Sequence, residues 1–225
     1  MRAAHGRVDE IYFSPGGTQA RITCPARLIP APGQYLQATS QDAILSTALF
    51  PAGSAQGGFI CAPPLPESWT PGTSLSLWGP LGHGFQLPAN LQRLGLIVVS
   101  GLSARLAPLV ELALARGTAV TLFTDHPPGG LPAALEVYPL GEYPTLAAWP
   151  DFLAVDLTLE DMPRLRSILG LTADDRPPCP GQVLVHTTMP CAGLADCGVC
   201  AVELRRGWKL ACKDGPVFDL RDILA

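Results

Sequence analysis

Met189-Pro190-Cys191-Ala192-Gly193-Leu194-Ala195-Asp196-Cys197-Gly198-Val199-Cys200, with Cys212 following after eleven intervening residues, spaces four cysteines as C-x5-C-x2-C-x11-C. Plant-type [2Fe–2S] proteins use C-x4-C-x2-C and a distant fourth cysteine: three thiolates on one loop wrap the cluster and a separate strand brings the last. Gly193, Ala195 and Gly198 keep bulk out of the loop, so backbone N–H groups can reach the sulfurs and offset the cluster's negative charge. Structural zinc also takes four thiolates, but usually as two C-x2-C knuckles, and this segment has only Cys197/Cys200. The spacing therefore favours a [2Fe–2S] cluster on Cys191, Cys197, Cys200 and Cys212, with structural zinc as the competing reading.

Upstream, Gln182-Val183-Leu184-Val185-His186 reads as a strand feeding the cysteine loop, and residues 171–180 read as a linker. Residues 178–225 form the expected cluster domain. Before it, residues 89–177 carry a different period. Leu96-Ile97-Val98-Val99 and Ala119-Val120-Thr121-Leu122-Phe123 are continuous apolar runs, as expected for strands covered on both faces. Between them, Leu106 to Arg116 has Leu106, Leu109, Val110, Ala113 and Leu114 on one helical face and Gly117 at its end. Leu135-Glu136-Val137-Tyr138 reads as a third strand and Glu160 to Leu169 as a helix closed by Gly170. That alternation is a parallel α/β unit. Residues 1–88 instead hold short β-rich runs between turns: Arg21–Cys24, Tyr35–Ala38, Gly58–Cys61 and Leu75–Trp78. They read as a small antiparallel barrel.

The 225 residues are 48% apolar and 15% charged, with 24 prolines and 23 glycines, which suits many short elements and argues against a helical bundle. A net charge of -4 gives no reason to expect nucleic acid or an anionic membrane as partner. No apolar run reaches the roughly 18–20 residues of a transmembrane helix, and the N-terminus has no apolar signal core, so the expectation is a cytoplasmic protein. In that compartment thiols stay reduced, which favours metal over disulfides for the clustered cysteines. Cys24, Cys61 and Cys179 lie outside any pattern and read as buried small hydrophobes or, for Cys179, a linker thiol.

From the cysteine loop through Trp208-Lys209-Leu210-Ala211-Cys212-Lys213-Asp214-Gly215-Pro216-Val217-Phe218-Asp219, the chain resembles the C-terminal cluster domain of the dihydroorotate dehydrogenase electron-transfer subunit. Gly79-Pro80-Leu81-Gly82-His83-Gly84-Phe85 is similar to that family's turn between barrel and nucleotide domain, and Pro32-Gly33-Gln34-Tyr35 to its strand start. The resemblance spans residues 30–225 and implies a ferredoxin-reductase-like fold: a β-barrel for FAD, an α/β domain for NAD(H) and a small [2Fe–2S] domain. It also implies a hetero-oligomer with a dihydroorotate-dehydrogenase-type or other flavoprotein subunit, and so a role near pyrimidine biosynthesis. The alternative is a non-catalytic assembly subunit whose cysteines hold zinc or a cluster for structure.

Two segments depart from the family. Where it has Arg-Pro-x-Ser to meet the FAD diphosphate and flavin, this chain has Ser46-Thr47-Ala48-Leu49-Phe50-Pro51, without the guanidinium a diphosphate favours. Where it has a glycine-rich dinucleotide loop, this chain has Val99-Ser100-Gly101-Leu102-Ser103-Ala104-Arg105. FAD is left open and NAD(H) is not expected. His83, Asp125-His126, Trp208 and Arg205-Arg206 are secondary candidates for contact with a cofactor or partner. No catalytic residue is assigned, and independent reductase activity is not expected.

Overall fold

The computed structural model describes all residues except 1, 15, 16, 42, 101, 102, 192 and 225. Gly101 and Leu102, on which the dinucleotide-loop reading rests, and Ala192 of the cysteine loop lie outside the described residues.

Seven antiparallel strands come first: β1 (Arg2–Ser14), β2 (Gly17–Thr23), β3 (Tyr35–Ser40), β4 (Thr47–Leu49), β5 (Pro51–Ala55), β6 (Gly58–Cys61) and β7 (Ser74–Leu81). Their order in the sheet is β4-β3-β7-β1-β2-β6-β5. The edge strands β4 and β5 are separated in sequence only by Phe50, so one short segment draws both edges together and curls the sheet, and Ala62 N donates to Phe50 O at 2.8 Å across the join. Alternation sorts the faces. Leu36 and Ala38 of β3 turn into the barrel with Val8, Ile22, Phe59, Leu75 and Leu77, whereas Tyr35, two residues before Gln37 on the opposite face, packs against the rest of the molecule.

The second unit runs β8 (Arg93–Val98), α1 (Ala107–Ala115), β9 (Ala119–Phe123), β10 (Leu135–Tyr138), α2 (Tyr143–Leu146), β11 (Phe152–Thr158), α3 (Met162–Ile168) and β12 (Gly181–His186). A hairpin, β13 (Ala201–Leu204) with β14 (Gly207–Leu210), is followed by β15 (Val217–Asp219) and α4 (Leu220–Ile223). The sheet order is β10-β9-β8-β11-β12-β15, parallel throughout except for β15. Connections reverse direction between β8 and β11, the switch point at which open α/β sheets hold ligands. Helix α1 covers one face through Leu109, Val110 and Ala113, and Gly117 after it adopts a φ of 74° with its N–H bonded to Leu114 O, a left-handed helix stop.

The boundary expected near residue 178 falls just before β12, yet β12 and β15 complete the α/β sheet. The cysteine loop and its hairpin are thus an insertion between the last two strands of that sheet. Met189, Cys200, Val202 and Cys212 share one core with Tyr35 and Phe50 of the barrel and Leu153 and Val155 of β11. Among the described residues no helix is long and apolar enough to cross a membrane.

Candidate metal centre

β12 delivers the chain to the cysteine loop, whose turns are set by Gly193 and Gly198 at φ 80° and 69° and by Ala195 at φ 66°. Leu194 N bonds to Cys191 O at 3.0 Å and Ala201 N to Gly198 O at 3.1 Å, fixing the loop between the first and third cysteines. The fourth cysteine follows β14 in a turn locked by Asp214: its N–H donates to Leu210 O at 2.7 Å and its Oδ2 accepts from Leu210 N at 3.0 Å. Ala211 N donates to Cys200 O at 2.9 Å, stitching the two limbs together.

All four sequence-predicted ligands come together. The Cys191 and Cys197 thiols are hydrogen-bonded, as are those of Cys200 and Cys212, and Cys191 also bonds Cys212 across the pairs. Burial alone would raise the Cys191 thiol, but the backbone N–H groups of Asp196, Ala195 and Cys197, with the Cys197 thiol, outweigh it and bring the pKa down to about 7. Burial pushes Cys212 up to about 12, and bonds and charge from Cys200 and Cys191 add to the rise. Backbone N–H groups aimed at sulfur, as inferred from the small residues, are therefore present.

This donor set fits a two-iron cluster. A [2Fe–2S] centre takes its thiolates in pairs, and the thiols here are bonded as Cys191 with Cys197 and Cys200 with Cys212. Cys200 and Cys212 are buried and Cys197 is exposed, so one edge of the site faces solvent beside exposed Leu194 and Val199. By contrast, Cys24 and Cys179 are buried thiols raised to about 11 by that burial, and Cys61 is raised further still.

The loop is seated on the barrel by the other two family-like segments, a role that sequence reasoning did not assign them. Tyr35 Oη donates to Cys212 O at 3.0 Å and Gln37 Nε2 to Met189 O at 3.2 Å. His83 N donates to Gly215 O at 2.6 Å, and its Nδ1, 3.0 Å from Asp214 O, donates as well because a carbonyl only accepts. The signal was available: three motifs far apart in sequence, each turn-rich, with no other function to absorb them.

The stretch that departs from the family's flavin-binding sequence lies at the barrel edge. Phe50 occupies the stretch where the family has its arginine and hydroxyl, and its buried ring lies 5.6 Å from Tyr35 and 5.8 Å from His186. A guanidinium does reach this junction, but it is committed. Arg105 Nε donates to both Asp156 oxygens at 3.1 and 2.9 Å, Nη2 donates to Oδ1 at 3.1 Å, and Nη1 donates to Pro63 O at 3.3 Å. Asp156 lies on β11 beside the switch point, and the ion pair holds it there buried. Asp125 Oδ1 accepts from Leu140 N, and Asp125 and His126 border a cleft of about 690 Å³ walled by Leu96, Leu106 and Val110. Among the described residues that lining holds Glu111 and no Ser, Thr or Cys. Trp208, Arg205 and Arg206 are exposed on the hairpin.

Residues 186–224 match the model of the iron–sulfur cluster binding domain of dihydroorotate dehydrogenase B. That match covers the cysteine loop, its hairpin and the last strand and helix, and no other part of the chain. The whole chain shares its fold with an NADH-dependent reduced ferredoxin-NADP oxidoreductase, at 18% identity over 97% of this chain and 89% of that one, TM-score 0.74. Phthalate dioxygenase reductase matches at 10% identity over 83% and 70% of the two chains, TM-score 0.57. The flavohem-like FAD/NAD binding domain of nitric oxide dioxygenase from Vibrio cholerae matches at 12% identity over 81% and 98%, TM-score 0.53. No curated protein sequence matches the chain. The ferredoxin-reductase-like architecture expected from the sequence, barrel followed by α/β unit followed by cluster segment, is the observed one.

Proposed function

We propose that this protein is an electron-transfer subunit that holds a [2Fe–2S] cluster on Cys191, Cys197, Cys200 and Cys212 and passes single electrons to or from a separate flavoprotein. The observation that carries this reading is the paired arrangement of the four thiols with three backbone N–H groups directed at Cys191. When bound, the cluster supplies a one-electron centre between two-electron redox partners. The chain's residues do the rest. Cys200 and Cys212 anchor the site in the core, the loop amides offset thiolate charge, and exposed Cys197 brings one edge within reach of a partner.

The cluster-domain match supports a dihydroorotate-dehydrogenase-type flavoprotein as that partner, in a hetero-oligomer. Nothing in the proposed role requires a flavin or nicotinamide on this chain. Metal and sulfide analysis of anaerobically purified protein tests the reading: two irons and two acid-labile sulfides per chain support it, and one zinc without sulfide sinks it.

A further inference from the structure

Tyr35 is fully buried although its hydroxyl is polar, and it stands on the barrel's outer face where both limbs of the cysteine loop meet. On one side its Oη donates to Cys212 O at 3.0 Å. On the other, a Cβ placed on Gly193 would come within 3.3 Å of the same Oη and 3.1 Å of Leu81 Cδ1, so the first limb lies directly on the phenol because residue 193 has no side chain. Burial pushes the phenol far above its ordinary range, and the charges of Cys212, Cys200 and Cys191 push it the same way. The O–H is thus held as a donor to Cys212 O beside the thiols.

We propose that Tyr35 is a positioning residue that sets the reduction potential of the cysteine site by capping the Cys212 carbonyl between the two limbs of the loop. The inference rests on the proposed function, since it needs a one-electron centre on those cysteines. The physics is direct. A carbonyl oxygen is the negative end of a dipole, and beside a site that gains one negative charge on reduction an uncapped oxygen disfavours the reduced form. A donor O–H neutralises that end, and at low local dielectric the effect is felt strongly. Gln37, next on the same face of β3, donates to Met189 O, two residues before the first cysteine.

Tyr35→Phe keeps the ring and removes only the hydroxyl. Anaerobic potentiometric titration of the full chain, read by visible absorption and by the paramagnetic signal of the reduced state, should show a lower midpoint. At the wild-type midpoint the reduced-to-oxidised ratio should fall about threefold to tenfold, tenfold being about 59 mV for one electron. Iron, sulfide and melting temperature should stay near wild type. An unchanged midpoint in a fully loaded variant overturns the proposal. So does failure of the variant to retain the cluster, which would make Tyr35 an assembly residue. A wild-type chain that binds no iron overturns the proposed function instead, so the two failures are distinct.

Discussion

Cys191 is half-buried with its sulfur facing three backbone N–H groups, whereas Cys212 is 3% exposed and lies beneath Tyr35. In the proposed centre the same residue type would serve as a charge-stabilised ligand at the rim and an anchor in the core. The base of the loop holds another residue with an unusual setting. His186, at the end of β12, is edge-on to Phe50, and burial together with the Arg105 charge lowers its pKa to about 4 from 6.5. The native state therefore keeps this ring neutral. As pH falls from 6.5 toward 4 the unfolded chain takes up a proton that the native chain refuses, and stability is lost across that window. The loss attributable to this one group is about 2–3 kcal/mol. Burial raises the pKa of Asp156 despite Arg105, which acts in the opposite sense but equally in both proteins of a comparison. His186→Phe, which preserves the ring contact, should flatten the decline in melting temperature between pH 6.5 and 4; an unchanged slope would remove His186 from the account.

At the scale of elements, the β7 turn and the strand into β15 are the clearest case of mutual support. Gly82 adopts a φ of 73°, and a Cβ there would meet Pro216 Cδ at 2.5 Å and Gly215 O at 2.7 Å. Gly82→Ala should cost about 1–3 kcal/mol and, by lifting the barrel turn from residues 214–216, speed removal of iron by a chelator. Melting curves and chelation rates check both; a variant as stable and retentive as wild type would show that the interlock is dispensable. These contacts also mark how far the sequence was legible. That the four cysteines come together was readable because their spacing and small neighbours report local structure, and β6 and β10 were readable because uninterrupted β-rich runs ended at turns. β11 was passed over because Asp156 breaks its apolar run, and only the fold reveals that Arg105 neutralises it. β1 begins at Arg2, ahead of the strands read from the sequence, because Arg2-Ala3-Ala4-His5-Gly6 carries little β signal and is held by pairing with β7. The docking of Tyr35, Gln37 and His83 onto the cysteine loop joins positions more than 100 residues apart, beyond any local pattern.

For the whole molecule, the Arg105–Asp156 pair ties the two sheets together, since the same guanidinium that meets β11 reaches Pro63 O just after β6. Arg105 and Asp156 side chains are 7% and 0% exposed, so removing one partner strands a buried charge. Arg105→Met should lose about 3–5 kcal/mol, and adding Asp156→Leu should recover most of it. Equal losses in single and double variants would contradict a coupled buried pair. Barrel, α/β sheet and inserted loop then share one core, and its chemical purpose is concentrated at four cysteines. The most direct test is electron paramagnetic resonance of anaerobically purified protein before and after dithionite. The expected result is silence in the oxidised state and a rhombic signal integrating to one spin per chain on reduction. A colourless protein that stays silent under both conditions would contradict a [2Fe–2S] centre on Cys191, Cys197, Cys200 and Cys212.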